Sequence, residues 1–382
     1  MNHPDFYMLD SFLTDDQKRL RDSVRRYVET AVWPHINDFW EKGKFPREMA
    51  MGLGQLPIIG GMVEGYGSAA LSPLEAGIVR YELARGDGSI GTFYGVHSGL
   101  AMGSISILGD EAQKERWLPA MARREKIGAF GLTEPLRGSD AAHVLTPAVR
   151  EGGHYLLNGE KRWIGNAPIA DLIIIWARDE NGKMGGFVIE NPQEADGLTI
   201  ETMQGKLAKR AVLNANITMN NVAVPVENRL AHASSFRDTA KVLAFTRYSV
   251  AWEGCGMAAA ALELALNYAK EREQFGRSIA SFQLIQAKLA EMAAEVTQMQ
   301  LLCHRLAQLM KSGEMSESMV ALAKFNNARK ARDVVRLARE IMGGNGILIE
   351  NHVARYLADA EAIYTYEGTN EINMLIVGRE LT

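Results

Sequence analysis

Gly128-Ala-Phe-Gly-Leu132 opens a stretch, closing near Ala233, in which short apolar runs are broken by Gly, Asn and Pro: His154 to Leu157, Leu172-Ile-Ile-Ile-Trp176, Gly186 to Ile189, Leu198 to Glu201, Ala215 to Met219 and Val222 to Val224. β-Branched and aromatic residues fit a pleated, half-buried surface, so this texture predicts a small antiparallel β domain. Upstream the period is helical. Leu20, Val24, Tyr27 and Val28 recur at three and four residues behind Thr14-Asp15-Asp16-Gln17, which has the form of a capping box. Downstream of Ser234, amphipathic segments near 236–272, 282–311, 317–342 and 370–380 predict a four-helix bundle. The expected fold is mainly α with one β domain: an N-terminal α-helical domain over 1–127, a middle antiparallel, barrel-like β domain over 128–233 and a C-terminal four-helix bundle over 234–382.

The chain has 382 residues, 47% of them apolar, which is ample for two or three buried cores. Its 42 Lys+Arg against 46 Asp+Glu leave no basic surplus, so nucleic acid is not an expected partner. The two cysteines, Cys255 and Cys303, offer neither a disulfide framework nor a CxxC motif, and no group of three metal ligands has plausible spacing, so no metal is expected. The start, Met1 to Asp10, has no basic segment followed by an apolar one, and no apolar run is long enough to span a membrane. Arg379-Glu-Leu-Thr382 is not a peroxisomal tripeptide, and a cytoplasmic setting is expected.

Two glycine patterns mislead. Gly86-Asp-Gly88-Ser-Ile-Gly91 and Gly65-Tyr-Gly67-Ser-Ala-Ala70 satisfy dinucleotide-binding fingerprints, but Glu75 to Ala84 reads as helix where that fold needs a strand, so helix-terminating loops are expected. His97-Ser98 are adjacent on a helix, about 100° apart, and a packing or polar role is expected there. More informative is Ile363-Tyr-Thr-Tyr-Glu367-Gly368-Thr369-Asn-Glu-Ile, where one carboxylate stands between an aromatic and a glycine ahead of a terminal helix that Thr369 would cap. Apolar surroundings raise a carboxylate's affinity for protons, as a general base near neutral pH needs; read alone, the same pattern also suits a surface Glu beside a cap.

Phe130-Gly-Leu-Thr-Glu-Pro-Leu-Arg-Gly-Ser-Asp140, Lys161-Arg-Trp-Ile-Gly-Asn166, Arg272-Glu-Gln-Phe-Gly276, Gly343-Gly-Asn-Gly346 and Tyr366-Glu-Gly-Thr369 occur in the order and spacing of the acyl-CoA dehydrogenase family. The chain resembles that family over essentially its whole length. Within it, the chain is similar to the glutaryl-CoA dehydrogenase branch and to short-chain acyl-CoA oxidases of plant peroxisomes, and Gly95-Val-His-Ser-Gly-Leu-Ala-Met102, Arg162-Trp-Ile-Gly-Asn166 and Ser235 to Ala244 resemble the oxidases especially.

The resemblance implies that Glu367 takes the α-proton of an acyl-CoA while FAD accepts the β-hydrogen as hydride, the enolate oxygen being held by the Glu367 N–H and a hydroxyl of FAD. It places Phe130, Leu132, Thr133, Trp163, Ile164 and Gly165 along the flavin, Ser139 between flavin and substrate, and Arg272, Phe275, Gln283, Gly343, Gly344 and Thr369 on the rest of FAD, partly across a subunit interface. Arg247, Tyr366, Gly368, Gly91 and Gly95 are implied to border the substrate, and a homotetramer is implied. In some relatives the base stands instead at the position of Thr246, which cannot ionise.

Two departures qualify this. Glutaryl-CoA dehydrogenases grip the distal carboxylate with Arg and Ser at positions matching Gly91 and Gly95, so an uncharged acyl chain is expected here. Gly165 replaces a Thr common in dehydrogenases and is frequent in oxidases, so O2 stays open as acceptor beside an electron-transfer flavoprotein. A third reading is a non-catalytic helical scaffold or carrier-binding relative that has kept the fold, against which Glu367, Thr133 and Trp163 stand.

Overall fold

The computed structural model describes residues 5–382. The first four positions of the N-terminal domain, and of the leader reading, lie outside the described residues. Among the described residues seven α-helices precede the sheet: α1 (Asp15–Tyr27), α2 (Trp33–Lys42), α3 (Arg47–Gly52), α4 (Pro73–Gly86), α5 (Gly88–Tyr94), α6 (Met102–Leu108) and α7 (Glu111–Ala122). The capping box forms as its sequence predicts, Gln17 N–H donating to Thr14 Oγ1 at 3.3 Å and Thr14 N–H to Gln17 Oε1 at 3.0 Å. Gly86 closes α4, and the Asp87 side chain caps α5 by accepting from Ile90 N–H at 2.9 Å, so the first glycine pattern is a helix junction. His97 is buried; Gly128 N–H donates to its Nδ1 at 3.1 Å, which makes Nε2 the donor to Met121 O, and burial pushes its pKa down to about 4. It fastens the helices to the sheet.

The sheet holds β1 (Gly128–Gly131), β2 (Pro147–Glu151), β3 (His154–Gly165), β4 (Leu172–Asp179), β5 (Met184–Glu190), β6 (Leu198–Thr202) and β7 (Asn214–Pro225) in the order β1-β4-β2-β3-β7-β6, with β5 also on β4. It is mixed where an antiparallel sheet was expected: β1 and β2 both run parallel to β4. The reason is topological, because parallel neighbours need a long crossover and the chain completes the β2–β3 hairpin before returning as β4. Centrally placed, β4 is buried along nearly all its length, which explains the unbroken Leu172 to Trp176 run. β3 loses register with β7 between Lys161 and Ile164, and Trp163 takes φ 64° inside that bulge. A bulge re-aims side chains; here Trp163 is left half-exposed while Ile164 is buried.

The C-terminal segment consists of α8 (Phe236–Glu271), α9 (Gln283–Lys311), α10 (Glu317–Met342), α11 (Val353–Thr365) and α12 (Asn370–Leu381). α11 was not anticipated, although Val353, Tyr356, Ala360 and Ile363 form its buried face at helical spacing. α4 packs closely on α8: a Cβ at Gly256 would lie 2.1 Å from Tyr81 O, and one at Gly77 2.3 Å from the Trp252 ring. Buried ion pairs cross the same joint, Arg85 with Glu263 and Arg80 with Glu253, and Arg355 on α11 pairs with Asp87.

Candidate active site

A cavity of about 990 Å³ lies where the N-terminal helices, the sheet and the C-terminal helices meet. Glu367 stands in its wall. It sits in the turn between α11 and α12 with φ 54°, followed by Gly368 at φ 80°. The left-handed region costs a non-glycine residue roughly 1–2 kcal/mol, and the surroundings hold it there. Arg247 Nε donates to Glu367 O at 3.2 Å, Lys324 Nζ to Gly368 O at 2.7 Å, and Asn373 Nδ2 to Gly368 O and Thr369 O at 2.9 and 3.0 Å. Thr369 caps α12 as its sequence predicts, accepting from Ile372 N–H.

The turn's carbonyls are thus occupied, whereas the Glu367 N–H has no acceptor among the described residues. Thr246 Oγ1 donates to Glu367 Oε2 at 2.9 Å. Burial raises the Glu367 carboxyl above the ordinary value, opposed by the Arg247 charge, the Thr246 hydrogen bond and the Lys324 and Arg80 charges. A proton acceptor and a free backbone donor therefore share one residue at the cavity wall. Arg247 also pairs with Glu317 at 2.9 Å, so it is both a bundle salt bridge and a cavity residue.

Phe130, Leu132, Thr133, Trp163, Ile164 and Gly165 line the cavity from the sheet side, with Ser139 among them. The carbonyls of Leu132 and Thr133 accept from Lys161 Nζ at 3.3 Å and Arg162 N–H at 2.8 Å; the Thr133 amide and hydroxyl donate to nothing among the described residues. An apolar wall edged by free donors fits the flat ring of a flavin, apolar along its body and hydrogen-bonding at one end. A Cβ at Gly165 would meet Val96 Cγ2 at 3.1 Å, so Val96 fills much of the room that the glycine leaves.

Tyr366, Gly368 and Gly95 also line the cavity; Gly91 does not, being buried with its carbonyl accepting from Arg80. Arg272, Phe275, Gln283, Gly343 and Gly344 are exposed, none of them lines the cavity, and neither does Thr369. Within one chain the structure leaves the first five outside the cavity, whereas Thr369 stands in the Glu367 turn itself.

The expectation that no cation stands at Gly91 and Gly95 requires correction. Gly91 and Gly95 carry none, but Arg80 of the preceding helix occupies the space beside them and lines the cavity. Arg80 went unnoticed because in sequence it is one charge in a helix. Its burial follows from two glycines eleven and fifteen residues later. Lys324 and Asn373 were missed similarly, since each acts on backbone carbonyls that only the fold presents.

The chain matches the acyl-CoA dehydrogenase N-terminal domain over residues 14–125, the middle domain over 129–222 and the C-terminal domain over 236–382. It is similar to a probable acyl-CoA dehydrogenase of Bacillus subtilis (strain 168), 34% identical over 97% of this chain and 98% of that one. It is also similar to a short-chain-specific acyl-CoA dehydrogenase of Clostridium acetobutylicum, 33% identical over 98% and 100% respectively. Among solved structures, a glutaryl-CoA dehydrogenase from Mycobacterium smegmatis in complex with FADH2 superposes with a TM-score of 0.95 at 33% identity, covering 98% of this chain and 96% of that one. With all three domains accounted for over nearly the whole chain, the chain belongs to the acyl-CoA dehydrogenase family and is an FAD-dependent oxidoreductase.

Proposed function

We propose that the protein converts a short acyl-CoA thioester to its 2-enoyl-CoA, with Glu367 removing the α-proton. One observation carries this reading: a carboxylate of raised proton affinity projects from a turn whose carbonyls are tied back and whose own N–H is unpaired. The free N–H suits the thioester oxygen, where negative charge grows as the proton leaves. Thr246 holds the accepting oxygen of Glu367, and Arg247 fixes the backbone from which it projects. The chemistry that FAD supplies when bound is acceptance of the β-hydrogen as hydride. Phe130, Leu132, Thr133, Ser139, Trp163, Ile164 and Gly165 are the residues that would hold its ring. Arg272, Phe275 and Gln283 are assigned to its pyrophosphate and adenosine across a subunit interface of a homotetramer, and Gly343, Gly344 and Thr369 also to FAD.

An electron-transfer flavoprotein is the proposed acceptor. The oxidase reading loses part of its argument from space, because Val96 Cγ2 lies only 3.1 Å from where a Cβ of Gly165 would be. The deciding experiment is anaerobic mixing of the FAD-loaded protein with acyl-CoA, followed by flavin bleaching, then admission of air. Glu367→Gln should still bind both molecules while reduction slows by at least ~10²–10⁴-fold. A rate within a few-fold of wild type removes Glu367 from the role, and rapid reoxidation in air restores the oxidase.

A further inference from the structure

Arg80 is 4% exposed and still contributes to the cavity wall. Its guanidinium occupies the hollow left by two glycines on the next helical stretch: Nη1 lies 3.4 Å from where a Cβ of Gly91 would be and 3.0 Å from one at Gly95. Nη1 donates to Gly91 O and Nη2 to Glu253 Oε2 at 2.5 Å, while Nε is buried without a partner among the described residues. The fork of an arginine presents five N–H donors, and a buried one left unused is costly.

The surroundings do not supply what is missing. Glu253 is already shared, accepting from Lys209 Nζ at its other oxygen and from the Tyr366 hydroxyl at 2.7 Å. Two cations and a phenol thus converge on one carboxylate. Beyond them Asp359 takes the Lys209 N–H and the Trp40 indole, and Thr92, which also lines the cavity, gives its proton to Gly88 O. Tyr366, the neighbour of Glu367, thus shares Glu253 with Arg80, and the cation and the base line one cavity.

We propose that Arg80 reads the far end of the acyl chain, and that the preferred substrates are short acyl-CoA thioesters ending in an oxygen acceptor. This rests on the dehydrogenation reading above and specifies its substrate class. A terminal carboxylate and a terminal hydroxyl share the required chemistry, and a five-carbon series separates them: pentanoyl-CoA, 5-hydroxypentanoyl-CoA and glutaryl-CoA.

The test measures kcat/KM of the FAD-loaded wild type with each thioester, then repeats the series with Arg80→Met and Arg80→Lys. At least one oxygen-tailed substrate should exceed pentanoyl-CoA by roughly ten- to a hundred-fold, the scale of one hydrogen bond to a charged group. Preference for glutaryl-CoA identifies a carboxylate, and preference for the hydroxy compound a neutral acceptor. Arg80→Met should abolish the preference and Arg80→Lys restore part of it. Equal or better use of pentanoyl-CoA by wild type overturns the proposal while leaving dehydrogenation standing, and does so even if no variant folds. An unchanged ratio in folded Arg80→Met also overturns it. Bleaching by none of the three overturns both readings together.

Discussion

Thr246 gives one proton to Glu367, and that hydrogen bond favours the ionised carboxylate over the acid. Since burial already raises the affinity of Glu367 for a proton, the active, deprotonated form is lost as pH falls through a value above the ordinary glutamate pKa of about 4.3. The acid limb of anaerobic flavin reduction should therefore lie above that range. Thr246→Val removes the stabilising donor and should move the limb to higher pH, whereas Thr246→Ser should leave it near wild type. An unshifted limb in Thr246→Val means that the hydrogen bond does not control the base. Glu367 was legible because its local pattern of aromatic, carboxylate, glycine and cap encodes a turn by itself. Arg80 was not, because its place depends on what Gly91 and Gly95 lack on a neighbouring helix.

Between elements, the closest joint is α4 on α8, where glycine brings backbone against backbone at Gly256 and Tyr81 O. Gly256→Ala would require the two helices to separate, and overpacking of this kind costs roughly 1–3 kcal/mol. A fall in melting temperature of several degrees is expected, whereas the same substitution at Gly378, inside α12 with open surroundings, should hold or slightly raise the melt. Equal melts for both variants would show that the joint is compliant. Most of the C-terminal helices, α11 excepted, were readable from sequence because amphipathic period and caps are local properties. The two parallel pairings on β4 were not, since pairing direction depends on chain order through the sheet rather than on any one strand's residues. The bulge at Trp163 escaped for the same reason, appearing only as a loss of register with β7.

Across the molecule, buried charge and imidazole tie the parts together and make stability depend on pH. Burial holds His97 down to about 4, against ordinary values near 6.5. The unfolded chain then takes up the proton first, so the stability contributed by neutral His97 is complete above about pH 6.5 and declines as pH falls toward 4. Melting temperatures of wild type and His97→Gln should accordingly converge over that interval. A constant difference would show that His97 titrates normally. Domain texture was visible in the sequence, but the cavity was not, because its walls come from segments as distant as Arg80, Trp163 and Glu367.

The Asp87–Arg355 pair bridges 268 residues of chain, with both side chains fully buried. Read in time instead of space, that separation is a delay. At translation rates of 5–20 residues per second, roughly 15 to 50 s pass between the synthesis of Asp87 and that of its partner. Until α11 leaves the ribosome, the end of α4 carries an aspartate, and Arg85 beside it, with no completed interior to enter. The N-terminal helices are made first and finished last, and through that interval the nascent chain depends on whatever shields them.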